Sequence, residues 1–227
     1  MNVILTGASR GIGLELAKLF CKHEHQVICL TRNIEPLLAL KQPNLTAIST
    51  DLSSQESMDQ ALQTIKATFK NIDCIINNAG SIINKPFNKI ALSELEKIYR
   101  VNVFAPFYIT QQLIPLMGKE QKGHIVNISS MGGFQGSAKF AGLSAYSSSK
   151  AAIAGLTECL AEELKDINIS VNCLALGAVQ TEMLEEAFPG YEAPLKPLEM
   201  ASYIYDFATK GHIYYNGKIL PVSSSTP

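Results

Sequence analysis

The stretch Thr6-Gly7-Ala8-Ser9-Arg10-Gly11-Ile12-Gly13 decides how this chain folds. An apolar run, Asn2–Thr6, leads into it, and apolar residues at three- and four-residue intervals follow over Gly11–Lys22, so it reads as the turn from a strand into a helix. Glycine permits positive φ and close backbone approach, which such a turn needs. The amides at the start of the helix would then face an anion lying beyond the strand end. The spacing Gly-x-x-x-Gly-x-Gly differs from the commoner Gly-x-Gly-x-x-Gly dinucleotide fingerprint, so the loop alone leaves two readings open, a phosphate cradle and a plain tight turn.

Outward from this turn, short β-rich runs alternate with longer helical patterns to the end of the chain. Strands are expected at Gln26–Thr31, Leu45–Thr50, Asp73–Asn77, Gly123–Ser129, Asn168–Ala175 and Lys218–Val222, mostly continuous apolar runs suited to burial on both faces. Helices are expected at Gln55–Lys70, Leu92–Met117 and Ala145–Lys165. Repeated βαβ units with right-handed crossovers place helices on both faces of a parallel sheet. The expectation is an α/β doubly wound parallel sheet of about seven strands in one domain spanning residues 1–227.

Composition narrows the function classes. Charged residues make up 17% and apolar residues 47%, and the net charge of -1 provides no global field for nucleic acid or an acidic membrane surface. The five cysteines lack CxxC spacing, fall in apolar stretches and read as reduced core thiols. Cys21-Lys22-His23-Glu24-His25 resembles a metal cluster, but no second cluster completes four ligands, so no metal is expected. The chain enters its first strand within two residues of Met1, and no apolar run reaches membrane-spanning length, so a cytoplasmic location is expected. The turn formers of Phe188-Pro189-Gly190-Tyr191-Glu192-Ala193-Pro194, which follow a short helical stretch, read either as a flap on the substrate side or as a surface loop.

Two further segments carry chemistry. Asn77-Asn78-Ala79-Gly80 follows the fourth strand, and Tyr146-Ser147-Ser148-Ser149-Lys150 opens the helix after the fifth. Residues four apart share a helical face, so Tyr146 and Lys150 are neighbours. A free phenol has a pKa of ~10, and an adjacent ammonium favours its ionised form. Lowering it by about three units takes ~4 kcal/mol, which a close ammonium in a partly desolvated cleft can supply. Ser130, in Asn127-Ile128-Ser129-Ser130 at the end of strand five, is placed to donate to a substrate oxygen, with Ser129 the competing choice.

In this order and separation, the glycine turn, Asn-Asn-Ala-Gly, the serine after strand five and Tyr-x-x-x-Lys resemble the short-chain dehydrogenase/reductase family over nearly the whole chain. The resemblance implies a Rossmann fold and an NADP(H)-dependent oxidoreductase that reduces a ketone or other carbonyl, a 3-oxoacyl group or a small ketone, by hydride transfer with Tyr146 as general acid. It implies Ser130 as the catalytic serine, although its sixteen-residue offset from Tyr146 is longer than the family's usual spacing, the extra residues lying in Met131–Leu143. It implies that Asn102 helps hold a water beside Lys150, where a structural mid-helix amide is the alternative. Gly7, Ser9, Arg10, Gly11, Ile12 and Gly13 would cradle the cofactor phosphates. Asp51 and Leu52 would face the adenine, with a helix cap the rival role for Asp51. Asn78, Ala79 and Gly80 would line the adenosine side, Gly177, Val179 and Thr181 would meet the nicotinamide carboxamide, and Tyr146 and Lys150 would also touch the cofactor.

The end of strand two bears on the choice of cofactor. An acid there would bind the ribose hydroxyls and repel a 2′-phosphate. The chain instead has Thr31-Arg32-Asn33, with Arg10 in the glycine turn, and two arginines able to clamp a phosphate favour NADP(H) over NAD(H). Two solvated surface arginines are the alternative. The pattern breaks at Leu176-Gly177, where the family usually has Pro-Gly, and after Val222, where many relatives continue Asp-Gly-Gly. The second departure bears on tetramer contacts, and a homo-oligomer, dimer or tetramer, is the expectation. The apolar residues Met131, Phe134, Phe140, Met183, Leu184 and Phe188 suggest a hydrophobic substrate pocket. A nucleotide-binding sensor or scaffold of the same fold without turnover is the competing function.

Overall fold

The computed structural model describes residues 1–223, in which seven strands form a parallel sheet in the order β3-β2-β1-β4-β5-β6-β7. The strands are β1 (Asn2–Thr6), β2 (Gln26–Thr31), β3 (Leu45–Ser49), β4 (Cys74–Asn77), β5 (Gly123–Ser130), β6 (Ile169–Leu176) and β7 (Ile219–Val222). Each matches an expected run to within one residue at either end. The order reverses between β1 and β4, and their carboxyl ends open a crevice of the kind that receives ligands in such sheets.

Alternation along the strands builds two cores. Val3, Leu5, Val27, Cys29 and Ile76 pack with α1 (Gly11–Lys22), while Ile4, Ile28, Ile75 and Ile125 pack on the other face with α3 (Gln55–Thr68), α5 (Ala105–Leu113) and α6 (Ser144–Glu163). The short α2 (Glu35–Leu38) sits between β2 and β3. Of the five cysteines, Cys21, Cys29, Cys74 and Cys173 are buried, whereas Cys159 is exposed on α6, contrary to the sequence expectation.

The helix expected over Leu92–Met117 is interrupted. It runs as α4 (Leu92–Tyr99), a π turn over Arg100–Phe104, α5, and a 3-10 turn over Ile114–Leu116. Pro106 lacks the N–H that would bond to the Asn102 carbonyl, and the Ala105 N–H reaches back five residues to Arg100. The widened turn carries Asn102, which is buried.

Two helices lie after β6, of which the first is the short helical stretch expected before the turn formers and the second stands where none is expected. α7 (Glu182–Ala187) precedes the turn-rich segment, and α8 (Pro197–Tyr214) covers the α1 face of the sheet. Pro197 opens α8, and the Glu199 carboxylate accepts from the Lys196 N–H at 2.7 Å. Its buried face, Met200, Ala201, Ile204, Phe207, Ala208 and Gly211, is half small residues, which weakens the apolar periodicity. No helix of the described residues is long and apolar enough to cross a membrane. Residues 224–227, where the chain ends differently from many members of the resembled family, lie outside the described residues.

Candidate active site

The glycine turn is fastened to the end of β4 across the crevice. Gly7 has φ of 72°, and a Cβ there would lie 2.6 Å from the Ala79 Cα. A Cβ on Gly13 would lie 2.1 Å from the Gly7 carbonyl oxygen, so α1 rests directly on the turn. Asn78 Nδ2 donates to the carbonyls of Thr6 (3.1 Å) and Gly7 (2.9 Å), and the Ala79 N–H donates to Thr6 Oγ1 at 3.0 Å. The amide of Asn78 is thus committed to the turn. Arg10 occupies the N-cap of α1 in extended conformation with no side-chain cap bond, and Ser9, Gly11 and Ile12 are half-buried beside it. A first helical turn uncapped by a side chain, on a backbone that leaves no room for side chains, fits a pyrophosphate.

The charged groups at this end do not all stand as the sequence suggests. The Arg10 guanidinium makes a two-pronged ion pair with Glu186 of α7, which draws the Glu186 carboxyl below its usual range. Arg32 is exposed, its carbonyl accepts from Ser49 Oγ at 3.2 Å, and no hydrogen bond or ion pair engages its guanidinium among the described residues. Asp51 Oδ1 accepts from the N–H and hydroxyl of Ser53 at 2.9 and 2.7 Å, so it closes a local turn, while Ser54 caps α3 by accepting from the Ser57 N–H. Leu52 is buried beside it.

The expected catalytic residues converge at the ends of β5 and α6. The Lys150 ammonium is buried, donates to the Ile128 carbonyl at 2.8 Å and lies 5.9 Å from the centre of the Tyr146 ring. A Cβ on Gly80 would lie 3.4 Å from Lys150 Nζ and 3.8 Å from Asn102 Oδ1, so the missing side chain leaves open a space that both groups face. Asn102 Oδ1 accepts from the Ser81 N–H at 2.7 Å, and its Nδ2 donates to the Ser81 carbonyl and to Ser149 Oγ, both at 2.9 Å.

The two candidate serines separate. Ser129 Oγ is buried and donates to the Lys150 carbonyl at 2.7 Å, fastening α6 to β5. Ser130 Oγ accepts from the Gly132 N–H at 3.2 Å, and its hydroxyl lies near enough to the Tyr146 phenol to favour the ionised form.

The proton affinities differ from the sequence expectation. Burial pushes the Tyr146 phenol above its ordinary value, and the neighbouring Ser130 hydroxyl draws it only partly back. Burial also lowers the Lys150 ammonium to about 8. Lys150 lies over the ring and gives its hydrogen bond to Ile128 rather than to the phenol, so in this geometry burial outweighs its charge and the phenol stays above its ordinary value.

A short-chain dehydrogenase model matches residues 1–192. The chain belongs to the short-chain dehydrogenase family. It is similar to the 3-oxoacyl-[acyl-carrier-protein] reductase of Aquifex aeolicus (strain VF5), with 31% identity over 97% of this chain and 94% of that protein. An uncharacterized oxidoreductase of Staphylococcus aureus (strain MW2) is 28% identical over 94% of this chain and 93% of its own length. Among solved structures, 4-hydroxyisoleucine dehydrogenase complexed with NADH superposes with a TM-score of 0.88 at 25% identity, covering 99% of this chain and 97% of that one. ElxO with NADP bound superposes with a TM-score of 0.84 at 26% identity, covering 97% of this chain and 96% of that one.

In this short-chain dehydrogenase the side of the crevice beyond β6 is built by loops. After β6, Val179 is buried and pairs with Leu195, the Gln180 N–H donates to the Leu195 carbonyl at 2.8 Å, and Thr181 Oγ1 caps α7 by accepting from the Leu184 N–H. Residues 182–194 therefore form an excursion closed at its base. Its tip is tied to the segment after β4, where Asn84 Nδ2 donates to the Ala187 carbonyl at 2.9 Å. The Lys85 N–H donates to the Gly142 carbonyl at 2.9 Å, joining the same segment to the 131–143 insertion.

A cleft of about 470 Å³ between them is lined by residues that include Pro86, Phe87, Phe140, Leu143 and Ser147. Of the six apolar residues expected to line a pocket, only Phe140 is among them, and Met131 is buried in the core. Ser81, Asn84, Ser149 and Glu186 have working contacts that the sequence reading missed. Ser149 lies within the Tyr-x-x-x-Lys motif, whereas the other three carry no local signal. At Leu176-Gly177 the Gly177 N–H is bonded to the Val222 carbonyl at 2.9 Å.

Proposed function

We propose that this short-chain dehydrogenase is an NADP(H)-dependent carbonyl reductase that takes a ketone, a small one or a 3-oxoacyl group, to the alcohol. The observation that carries the reading is the convergence of Tyr146, Ser130, Lys150 and Asn102 beside the space left by Gly80, next to a glycine turn suited to a pyrophosphate. Matched relatives of the chain bear the names of a 3-oxoacyl reductase and of dehydrogenases with NADH or NADP bound, which supports a nicotinamide cofactor. When bound, reduced nicotinamide would supply the hydride for the carbonyl carbon.

The chain's own residues handle the proton. Ser130 orients the carbonyl oxygen and Tyr146 delivers a proton to it as negative charge develops there. A phenol held above its ordinary value is protonated at neutral pH, which is the form a general acid needs. The positive Lys150 then stabilises the phenolate left behind, and Asn102 and Ser149 hold the inner end of the route by which Tyr146 regains its proton. Gly7, Ser9, Gly11, Ile12 and Gly13 hold the pyrophosphate, with Arg10 and Arg32 at the 2′-phosphate. Asp51, Leu52, Ala79 and Gly80 line the adenosine side, and Gly177, Val179 and Thr181 the nicotinamide. Phe104 and Phe107, both exposed on the face beside α6, supply apolar surface for a homo-oligomer.

The reading is tested by following NADPH oxidation with a panel of ketones, quinones and acyl thioesters. Turnover of at least one carbonyl class is expected, and nucleotide binding with silence across the panel would make the protein a sensor or scaffold instead. Arg32→Ala is expected to weaken NADPH binding about ten- to a hundredfold by loss of a charge-assisted bond while changing NADH binding little. Equal losses for both cofactors would remove Arg32 from the 2′-phosphate site.

A further inference from the structure

Arg10 has two claims on it. It caps α1 at the edge of the glycine turn, where the proposed cofactor would put a phosphate, yet its guanidinium is already engaged two-pronged by Glu186. One helical turn earlier on α7, Glu182 Oε2 lies 3.5 Å from the point a Cβ on Gly11 would occupy. Two carboxylates of the flap helix thus face the turn meant to receive an anion.

We infer that Glu186 is a specificity-determining residue for the cofactor: its carboxylate holds Arg10 in place of a 2′-phosphate, so a 2′-phosphorylated nucleotide must displace it while an unphosphorylated one need not. The inference rests on the cofactor site proposed above. A guanidinium presents its donors as a planar fork, and an edge that grips a carboxylate through two N–H groups is the same edge that grips a phosphate. Displacement would leave Glu186 unpaired. The flap tip would then keep the Asn84 bond to the Ala187 carbonyl as its tie to the rest of the chain at that point. Both partners of the pair are about half exposed or more, so the competition is modest, of the size of a well-aligned surface ion pair.

The test uses adenosine 2′,5′-bisphosphate and 5′-AMP, which differ by the 2′-phosphate and cannot turn over. Both are titrated by calorimetry into the wild-type protein, Arg10→Ala, Glu186→Gln, and the double variant Arg10→Ala/Glu186→Gln. The expected result is that Glu186→Gln binds the bisphosphate about two- to fivefold more tightly and 5′-AMP unchanged, and that the gain over Arg10→Ala alone vanishes in the double variant. Unchanged bisphosphate affinity in Glu186→Gln, an equal gain for both nucleotides, or a gain that survives without Arg10 would each overturn the inference while leaving the cofactor reading standing. Failure of all proteins to bind either nucleotide would overturn both.

Discussion

The two walls of the crevice are made differently. On the cofactor side, the glycine turn, the start of α1 and the end of β4 meet through backbone atoms, with Gly7 against Ala79 and Gly13 against the Gly7 carbonyl. On the other side, the tip of the 182–194 excursion is held by side-chain bonds at the surface, Asn84 to Ala187 and Arg10 to Glu186. Backbone contacts cannot yield without moving a strand or a helix, whereas single surface bonds exchange with water at little cost. A rigid wall at the glycine turn thus stands opposite a more adjustable one.

The contrast is broken most severely at Gly13. A methyl group at that position would meet the Gly7 oxygen at 2.1 Å and Asn78 Nδ2 at 2.6 Å. Gly13→Ala is therefore expected to cost more than about 3 kcal/mol of stability in urea unfolding, and a loss under about 1 kcal/mol would show that the wall is pliant.

The pH dependence of reduction gives a smaller effect between the walls. Lys150, lowered to about 8 by burial, is cationic below that pH and supports the phenolate left by proton transfer. The rate of reduction is expected to hold on the acid side and to fall by about tenfold per pH unit once Lys150 discharges. A rate that rises through pH 8 would mean that the neutral amine is the working form.

The smallest effect belongs to the adjustable wall. Asn84→Ala removes one exposed hydrogen bond, so the melting midpoint should barely move while proteolytic cleavage within residues 188–194 speeds up about two- to fivefold. A large fall in the midpoint would place the flap in the structural core.

The same contrast explains what the sequence could reveal. Strands buried on both faces are runs of β-branched and aliphatic residues, and the glycine turn is specified by the absence of side chains, so both were legible residue by residue. Tyr146, Lys150 and Asn102 were placed by helical spacing and family resemblance, and they do converge. The direction in which the Lys150 ammonium points was not legible, because a shared helical face does not say that Ile128 will take its hydrogen bond. The Arg10 pair with Glu186 spans 176 residues, and nothing local to either residue announces it. α8 was missed because its buried face is rich in alanine and glycine, and the single helix expected over 92–117 was interrupted where Pro106 removes a backbone donor.

The central claim is that the Tyr146 phenol gives up the proton. Its most direct measurement is single-turnover reduction by Tyr146→Phe, alongside wild type, with NADPH binding measured on the same samples. The account expects the rate to fall by at least about a hundredfold at unchanged NADPH affinity, because the ring stays and only the acid is lost. Wild-type turnover in a folded, NADPH-binding Tyr146→Phe protein would contradict it.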